Sequence, residues 1–251
     1  MSIEWKSTDS INFQEDTNMS MEWKSTDSID LAERRAEQII GPNNFQNPWF
    51  LKKGLARLAP VGLIPNNGTG FLISENLIMT NWHIFRDSSW AEDQEFILGF
   101  EQNEDGSTPQ TQKFKLLPEK FFYSNEELDF AVVHADNSPG KEFGIINIFK
   151  PGKIRNDIHV NIIQHPNAGL KKIAIRDNGV KYFDEKIIQY WTDTEHGSSG
   201  SPVFDDQWEI IGLHYMRDQA KDISGGVVYY NEAHTITAIT TELKKIFPTV
   251  F

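Results

Sequence analysis

The chain has 251 residues, 39% of them apolar and 24% charged, with 36 acidic against 24 basic side chains for a formal charge of −12. That length buries a core in one large domain or two small ones, and a surface this acidic repels a phosphate backbone, so nucleic acid is excluded as a partner. No run of about 18 apolar residues offers a membrane span, and the absence of cysteine removes disulfides, thiolate metal sites and cysteine nucleophiles together.

The polar, acidic start lacks the basic and apolar regions of a secretory signal, which predicts a cytoplasmic protein. MSIEWKSTDSIN at 1–12 returns as MSMEWKSTDSID at 19–30, and one such pair is too few for a stacked repeat array. Residues 1–30 therefore read as a duplicated tail, and the alternative is a bivalent docking or inhibitory segment.

A helical lead-in is expected over 31–60. Asp30 and Glu33 form a capping-box-like start to a helix at about 31–40, which Gly41-Pro42 stops. Leu51, Leu55 and Leu58 define the face of a second helix, from about Trp49 to Leu58, which ends before Pro60. From Val61 to about Tyr230 the chain breaks into short β-rich runs: VGLI, GFLIS, LIMT, FILGF, DFAVVHA, HVNIIQ, KKIAIR, VKYF, KIIQYW, SPVF, EIIGLHY and GVVYY. Pro65-Asn66-Asn67-Gly68 is expected to turn VGLI back into GFLIS, and Asn178-Gly179 to close a two-residue hairpin between KKIAIR and VKYF. Ile236, Ile239, Leu243 and Ile246 repeat at helical spacing, predicting a C-terminal amphipathic helix on an all-β body.

The segment TEHGSSGSPVF places a serine among glycines ahead of a proline-led strand. A serine nucleophile needs donors aimed at the developing oxyanion, and a turn of small residues can direct the N–H groups of Gly197 and Ser199 to one spot. The bland alternative is a tight β-turn, so partners must decide. His83, closing LIMTNWH, and Asp129, opening DFAVV, supply a base and its orienting carboxylate where strand meets loop. The chain order His, Asp, Ser is that of chymotrypsin and of neither the α/β-hydrolases nor subtilisin. GTG at 68–70 reads as a hairpin turn rather than a phosphate loop. No HExxH or DxDxDG spacing occurs, and this chemistry needs no metal and no cofactor.

GTGFLISENLIMTNWH, LDFAVV and HGSSGSPVF together resemble the histidine, aspartate and serine motifs of the trypsin-like serine peptidases, over about Val61 to Phe247. The resemblance implies two six-stranded antiparallel β-barrels, at 61–150 with His83 and Asp129 and at 151–251 with Ser199, the triad lying in the cleft between them. GSSGSPVF followed by EIIGLHY is similar to the glutamyl endopeptidase branch. It implies that Thr194, five residues before Ser199, and His214, fifteen after it, receive a glutamate carboxylate. Cleavage after Glu, with Asp second, is the expectation. IIGPNNFQNPWFLKKGLARLAPVGLI, IIQHPNAGLKKIAI and YWTDTEHGSSGSPVF also resemble intracellular bacterial trypsin-like domains that often serve as effectors in multi-component systems.

Ser198 stands where zymogen-activated trypsins carry the aspartate that pairs with a new amino terminus, so that switch is missing. The tail is expected to restrain activity until it is cut or engaged. Cutting after a residue as common as Glu endangers a cell, which argues for a regulatory protein partner beside the protein or peptide substrate. The rival functions are a catalytically latent or inactive member of this fold that binds a peptide or protein through the same cleft, and a purely structural protein.

Overall fold

The computed structural model describes residues 45–65, 68–108, 110–155, 158–176, 178–221 and 226–248. The duplicated tail, the helix expected at 31–40 and the turn residues Asn66-Asn67 lie outside them. The chain divides into two units, and the one comprising Pro48–Gln219 with Tyr229–Phe251 carries the site and all of both sheets except two strand ends. Of the other unit, 45–47, the strand ends at 220–221 and 227–228, and Gly226 are described.

Seven strands form the first sheet: β1 (Val61–Ile64), β2 (Gly68–Leu72), β3 (Leu77–Thr80), β4 (Glu95–Leu98), β5 (Gln112–Lys115), β6 (Phe122–Asn125) and β7 (Phe130–His134). They lie in the order β5-β4-β1-β2-β3-β7-β6. The second sheet holds β8 (Asn161–Gln164), β9 (Lys172–Ala174), β10 (Val180–Phe183), β11 (Ile187–Tyr190), β12 (Pro202–Phe204), β13 (Ile210–Lys221) and β14 (Val227–Thr235), in the order β10-β11-β14-β13-β12-β8-β9. Every assigned pairing is antiparallel. A bridge from Leu116 to Ala135 joins the ends of β5 and β7, and one from His159 to Gly179 joins the lead-ins of β8 and β10, so each sheet curls on itself.

Each sheet therefore has seven strands rather than six. The twelve apolar runs all became strands, and β5 and β6 are additions. QKFK in β5 buries only Phe114, and no residue of β6 is fully buried, so neither carries the alternation that marks a strand.

Alternation along the strands explains why so many runs are apolar throughout. Ile78, Ala131 and Val133 point into the first barrel with Leu72, Phe96 and Leu98. Their neighbours Met79, Phe130 and Val132 point the other way, into a core shared with Ile163, Phe204, Ile210 and Leu213 of the second sheet. Ile162, Val203 and Ile211 fill the second barrel with Tyr190 and Ala233. Both faces are buried, and each fully buried large side chain contributes about 1.5–3 kcal/mol.

The C-terminal helix (Ile236–Ile246) closes the shared core with Ile236, Ile239 and Leu243. Thr235 caps it, its Oγ1 accepting from Ala238 N at 3.2 Å. Ile246 is exposed, and Phe247 instead packs on Phe121 and Tyr123.

Two local expectations are corrected. The lead-in helix α1 (Trp49–Leu55) buries Phe50 and Gly54 and exposes Leu51 and Leu55, because Phe50 packs on Trp208 while Gly54 lets the helix backbone approach that indole. Asn178-Gly179 is no hairpin turn, since β9 and β10 lie at opposite ends of their sheet. Asn178 is buried, and its amide donates to Val160 O at 2.7 Å, which ties the barrel closure together.

Candidate active site

β3 and β7 pair with Thr80 opposite Ala131, so the residues that follow β3 and those that precede β7 emerge side by side at one end of the sheet. This register brings His83 to Asp129. Buried Asn81 donates from Nδ2 to Asp129 O at 2.8 Å. Asp129 closes a turn with its N–H on Glu126 O and a φ of +41°, a left-handed conformation that aspartate tolerates better than most residues. Its Oδ1 accepts from His83 N at 2.9 Å and its Oδ2 lies 2.7 Å from His83 Nδ1. With Nδ1 keeping its proton and donating it to the carboxylate, Nε2 carries the lone pair, the tautomer a general base requires.

The serine loop is pinned to both sheets. Gly200 N donates to His214 O at 2.9 Å, His214 N to Ser201 O at 3.0 Å, and Thr69 N of β2 to Ser199 O at 2.8 Å. Thr69 Oγ1 donates to Gly197 O at 2.8 Å and accepts from His165 N at 3.0 Å. Gly197 and Gly200 have φ of +91° and +85°, and a Cβ on Gly200 would strike Thr69 O. Ser198 is fully buried; its N–H turns inward to Glu195 O and its Oγ accepts from Glu195 N at 3.0 Å. Among the described residues neither the N–H of Gly197 nor that of Ser199 donates a hydrogen bond. Two flanking donors left over around an inward-turned third suit an oxyanion hole.

Ser199 Oγ donates to Tyr215 O at 3.4 Å, a weak contact, and no hydrogen bond joins Ser199 to His83 among the described residues. The nucleophile and base candidates meet instead through Tyr215, which lines an open cleft of about 440 Å³ with His83, Asp129, Trp82 and His234. Tyr215 is held from behind. Its hydroxyl donates to the Glu232 carboxylate, whose other oxygen accepts from Gln189 Nε2 at 2.8 Å, and its ring stacks on His234 at 4.3 Å. Burial and then the Glu232 carboxylate push the Tyr215 hydroxyl well above the usual phenol range.

No hydrogen bond joins Thr194 to His214 among the described residues. Thr194 Oγ1 donates to Asn231 Oδ1 at 2.6 Å, while His214 Nδ1 lies 2.8 Å from Tyr190 OH. Tyr190 is opposite Asn231 in the β11–β14 pairing, which sets the two pairs near each other. His214 is buried, and desolvation, opposed by the Glu232 backbone and aided by the charge of His83, drives it down to about 4. It is neutral at neutral pH and keeps one ring N–H.

Tyr215, Glu232, Asn231 and Tyr190 were not singled out from the sequence. Tyr215 adjoins His214 in EIIGLHY and was within reach of inspection. The other three become functional candidates only through cross-strand pairing.

The profile of the trypsin-like peptidase domain matches residues 68–213, more than half of the chain. The chain belongs to the trypsin-like peptidase family. A rhizobial protein of this similarity group, uncharacterized protein y4fB of Sinorhizobium fredii, is 33% identical over 204 residues, covering 71% of this chain and 31% of that protein. Serine protease HTRA3 of Rattus norvegicus is 25% identical over 186 residues, covering 71% of this chain and 38% of that protein. The trypsin-like chain thus spans about a third of the length of these relatives. Among solved structures, a Glu endopeptidase in complex with MPD superposes with a TM-score of 0.54 at 20% identity, covering 76% of this chain and 90% of the other. The inactive form of Rv3671c protease gives 0.54 at 18% identity, covering 82% and 98%. These likenesses establish the chymotrypsin-like fold. No helix among the described residues is long and apolar enough to cross a membrane.

Proposed function

We propose that the chain is a serine endopeptidase with His83, Asp129 and Ser199 as its triad. His83 Nε2 takes the Ser199 Oγ proton as the oxygen attacks the peptide carbonyl, and the Gly197 and Ser199 N–H groups stabilise the oxyanion. The imidazolium, held by Asp129, then gives its proton to the leaving amine, producing an acyl-enzyme and a free amino terminus. A water that loses its proton to His83 releases the acid and regenerates Ser199. The observation that carries this reading is the two-point hold of Asp129 on His83, at the edge of a cleft shared with the residue that holds Ser199 Oγ.

The residue preferred before the cut is Glu, then Asp, its carboxylate taking over the Thr194 hydroxyl proton from Asn231 Oδ1 and meeting the neutral His214–Tyr190 pair. Both pairs are uncharged, so an acidic side chain meets donors without a competing carboxylate in direct contact. In this reading the peptidase is a cytoplasmic effector restrained by its tail or a protein partner. One observation favours a second reading, a latent form: Ser199 Oγ is directed to Tyr215 O and makes no hydrogen bond with His83.

The test is cleavage of peptides that differ only at the residue before the cut, by the full chain and by Ser199→Ala, read by mass spectrometry. Cuts after Glu that vanish in Ser199→Ala support triad and pocket together. Preferred cuts after Arg or Phe overturn the pocket, and cuts that persist in Ser199→Ala overturn the triad.

A further inference from the structure

We infer that the cleft beside His83 and Asp129 is a second recognition pocket, which takes a lysine or arginine side chain of the substrate on a residue adjacent to the one whose carbonyl is attacked. The inference rests on the peptidase reading and adds a substrate feature to it. Two kinds of group face this space. Trp82, Tyr215 and His234 give it aromatic walls, on which the methylene stem of a long side chain can lie; Glu126 and Glu127 complete its lining with exposed carboxylates.

Among the described residues no lysine or arginine lines the cleft. Asp129 is committed to His83, and Glu127 pairs with Lys186 at 2.5 Å. Glu126 makes no ion pair among the described residues, so it remains to receive a cation. His234 adds no positive charge, because burial lowers it below its ordinary value despite the nearby Asp129 carboxylate. An anionic side chain would face three carboxylates here. The overall charge of −12 draws basic substrates toward the surface in general.

The position follows from strand geometry. Neighbouring side chains of an extended peptide point to opposite sides. A residue seated by Thr194 and His214 leaves its neighbour facing away from them, and Tyr215 bridges the two regions with its carbonyl at Ser199 and its ring in the cleft.

The experiment uses the full chain and peptides with Glu before the cut that carry Ala, Leu, Glu, Lys or Arg at each flanking position. It measures kcat/KM with the native chain, and binding by tryptophan fluorescence with Ser199→Ala. Lys or Arg at one flanking position should exceed Ala by about fivefold to tenfold in both measurements. Glu126→Gln should remove most of that ratio and Glu126→Lys should invert it in favour of Glu. Equal values for Lys and Ala at every position, or a preference for Lys that survives Glu126→Lys, overturn the pocket. Cleavage that depends on Ser199 but ignores Lys sinks the pocket alone, whereas preferential binding of Lys peptides with no cleavage keeps the pocket and sinks the peptidase reading.

Discussion

Asp129 holds His83 at two points, its Oδ1 on the backbone N–H at 2.9 Å and its Oδ2 opposite ring Nδ1 at 2.7 Å. A carboxylate accepts at both, whereas an amide can accept at only one and must present N–H₂ to the other. Asp129→Asn should therefore keep the fold but favour the imidazole tautomer with its proton on Nε2, lowering kcat by about 10⁴-fold. Steady-state kinetics on the peptide cleaved best checks this, and an Asn variant within tenfold of the native rate would show that His83 needs no orienting carboxylate.

Gly200 combines a φ of +85° with direct approach to Thr69 O and Thr80 Oγ1. A methyl group there has neither the backbone conformation nor the space it needs, and the contacts it would break join the serine loop to β2. Gly200→Ala should destabilise the protein by ~3 kcal/mol or more, measurable by urea unfolding. A shift below ~1 kcal/mol would mean that the loop is not clamped as described.

His214 and His165 are both driven by burial from 6.5 to about 4. Each binds its proton more weakly folded than unfolded, so between those values the unfolded chain holds more protons. The stability that comes from keeping them neutral is complete above pH ~6.5 and is lost as pH falls toward 4. Urea midpoints across that window should decline, and His165→Asn should flatten the decline. An unchanged slope in that variant would remove His165 from the account.

Removing the Tyr215 hydroxyl leaves the buried Glu232 carboxylate with Gln189 as its remaining side-chain partner. Tyr215→Phe should lose about 1–3 kcal/mol, and Glu232→Gln added to it should recover part of that loss by removing the stranded charge. A double-mutant cycle by chemical denaturation reads the coupling; additive losses would show that the pair is not energetically linked.

The sequence carried the strands whose two faces are both buried, because runs such as LIMT and DFAVV are apolar without interruption. It missed β5 and β6, where a single Phe114 or no residue at all is fully buried and pairing to neighbours fixes the strand. It misassigned the face of α1 because leucine spacing favoured Leu51 and Leu55, whereas Phe50 and Gly54 meet Trp208 from a loop more than 150 residues away. It misread Asn178-Gly179 because turn chemistry is local and the closing partner, Val160, is not an adjacent strand. The His83–Asp129 contact was legible as residue types at strand ends. Tyr215 and Glu232 were not, since a tyrosine and a glutamate on neighbouring strands announce nothing until the register is known.

The most direct measurement for the central claim is reaction of the full chain with a fluorophosphonate, followed by peptide mapping of the adduct. The account predicts one phosphonylated residue, Ser199, with labelling abolished in Ser199→Ala and slowed by at least about 100-fold in His83→Ala. An adduct on another residue, no adduct at all, or labelling of Ser199 at the same rate without His83 would contradict it.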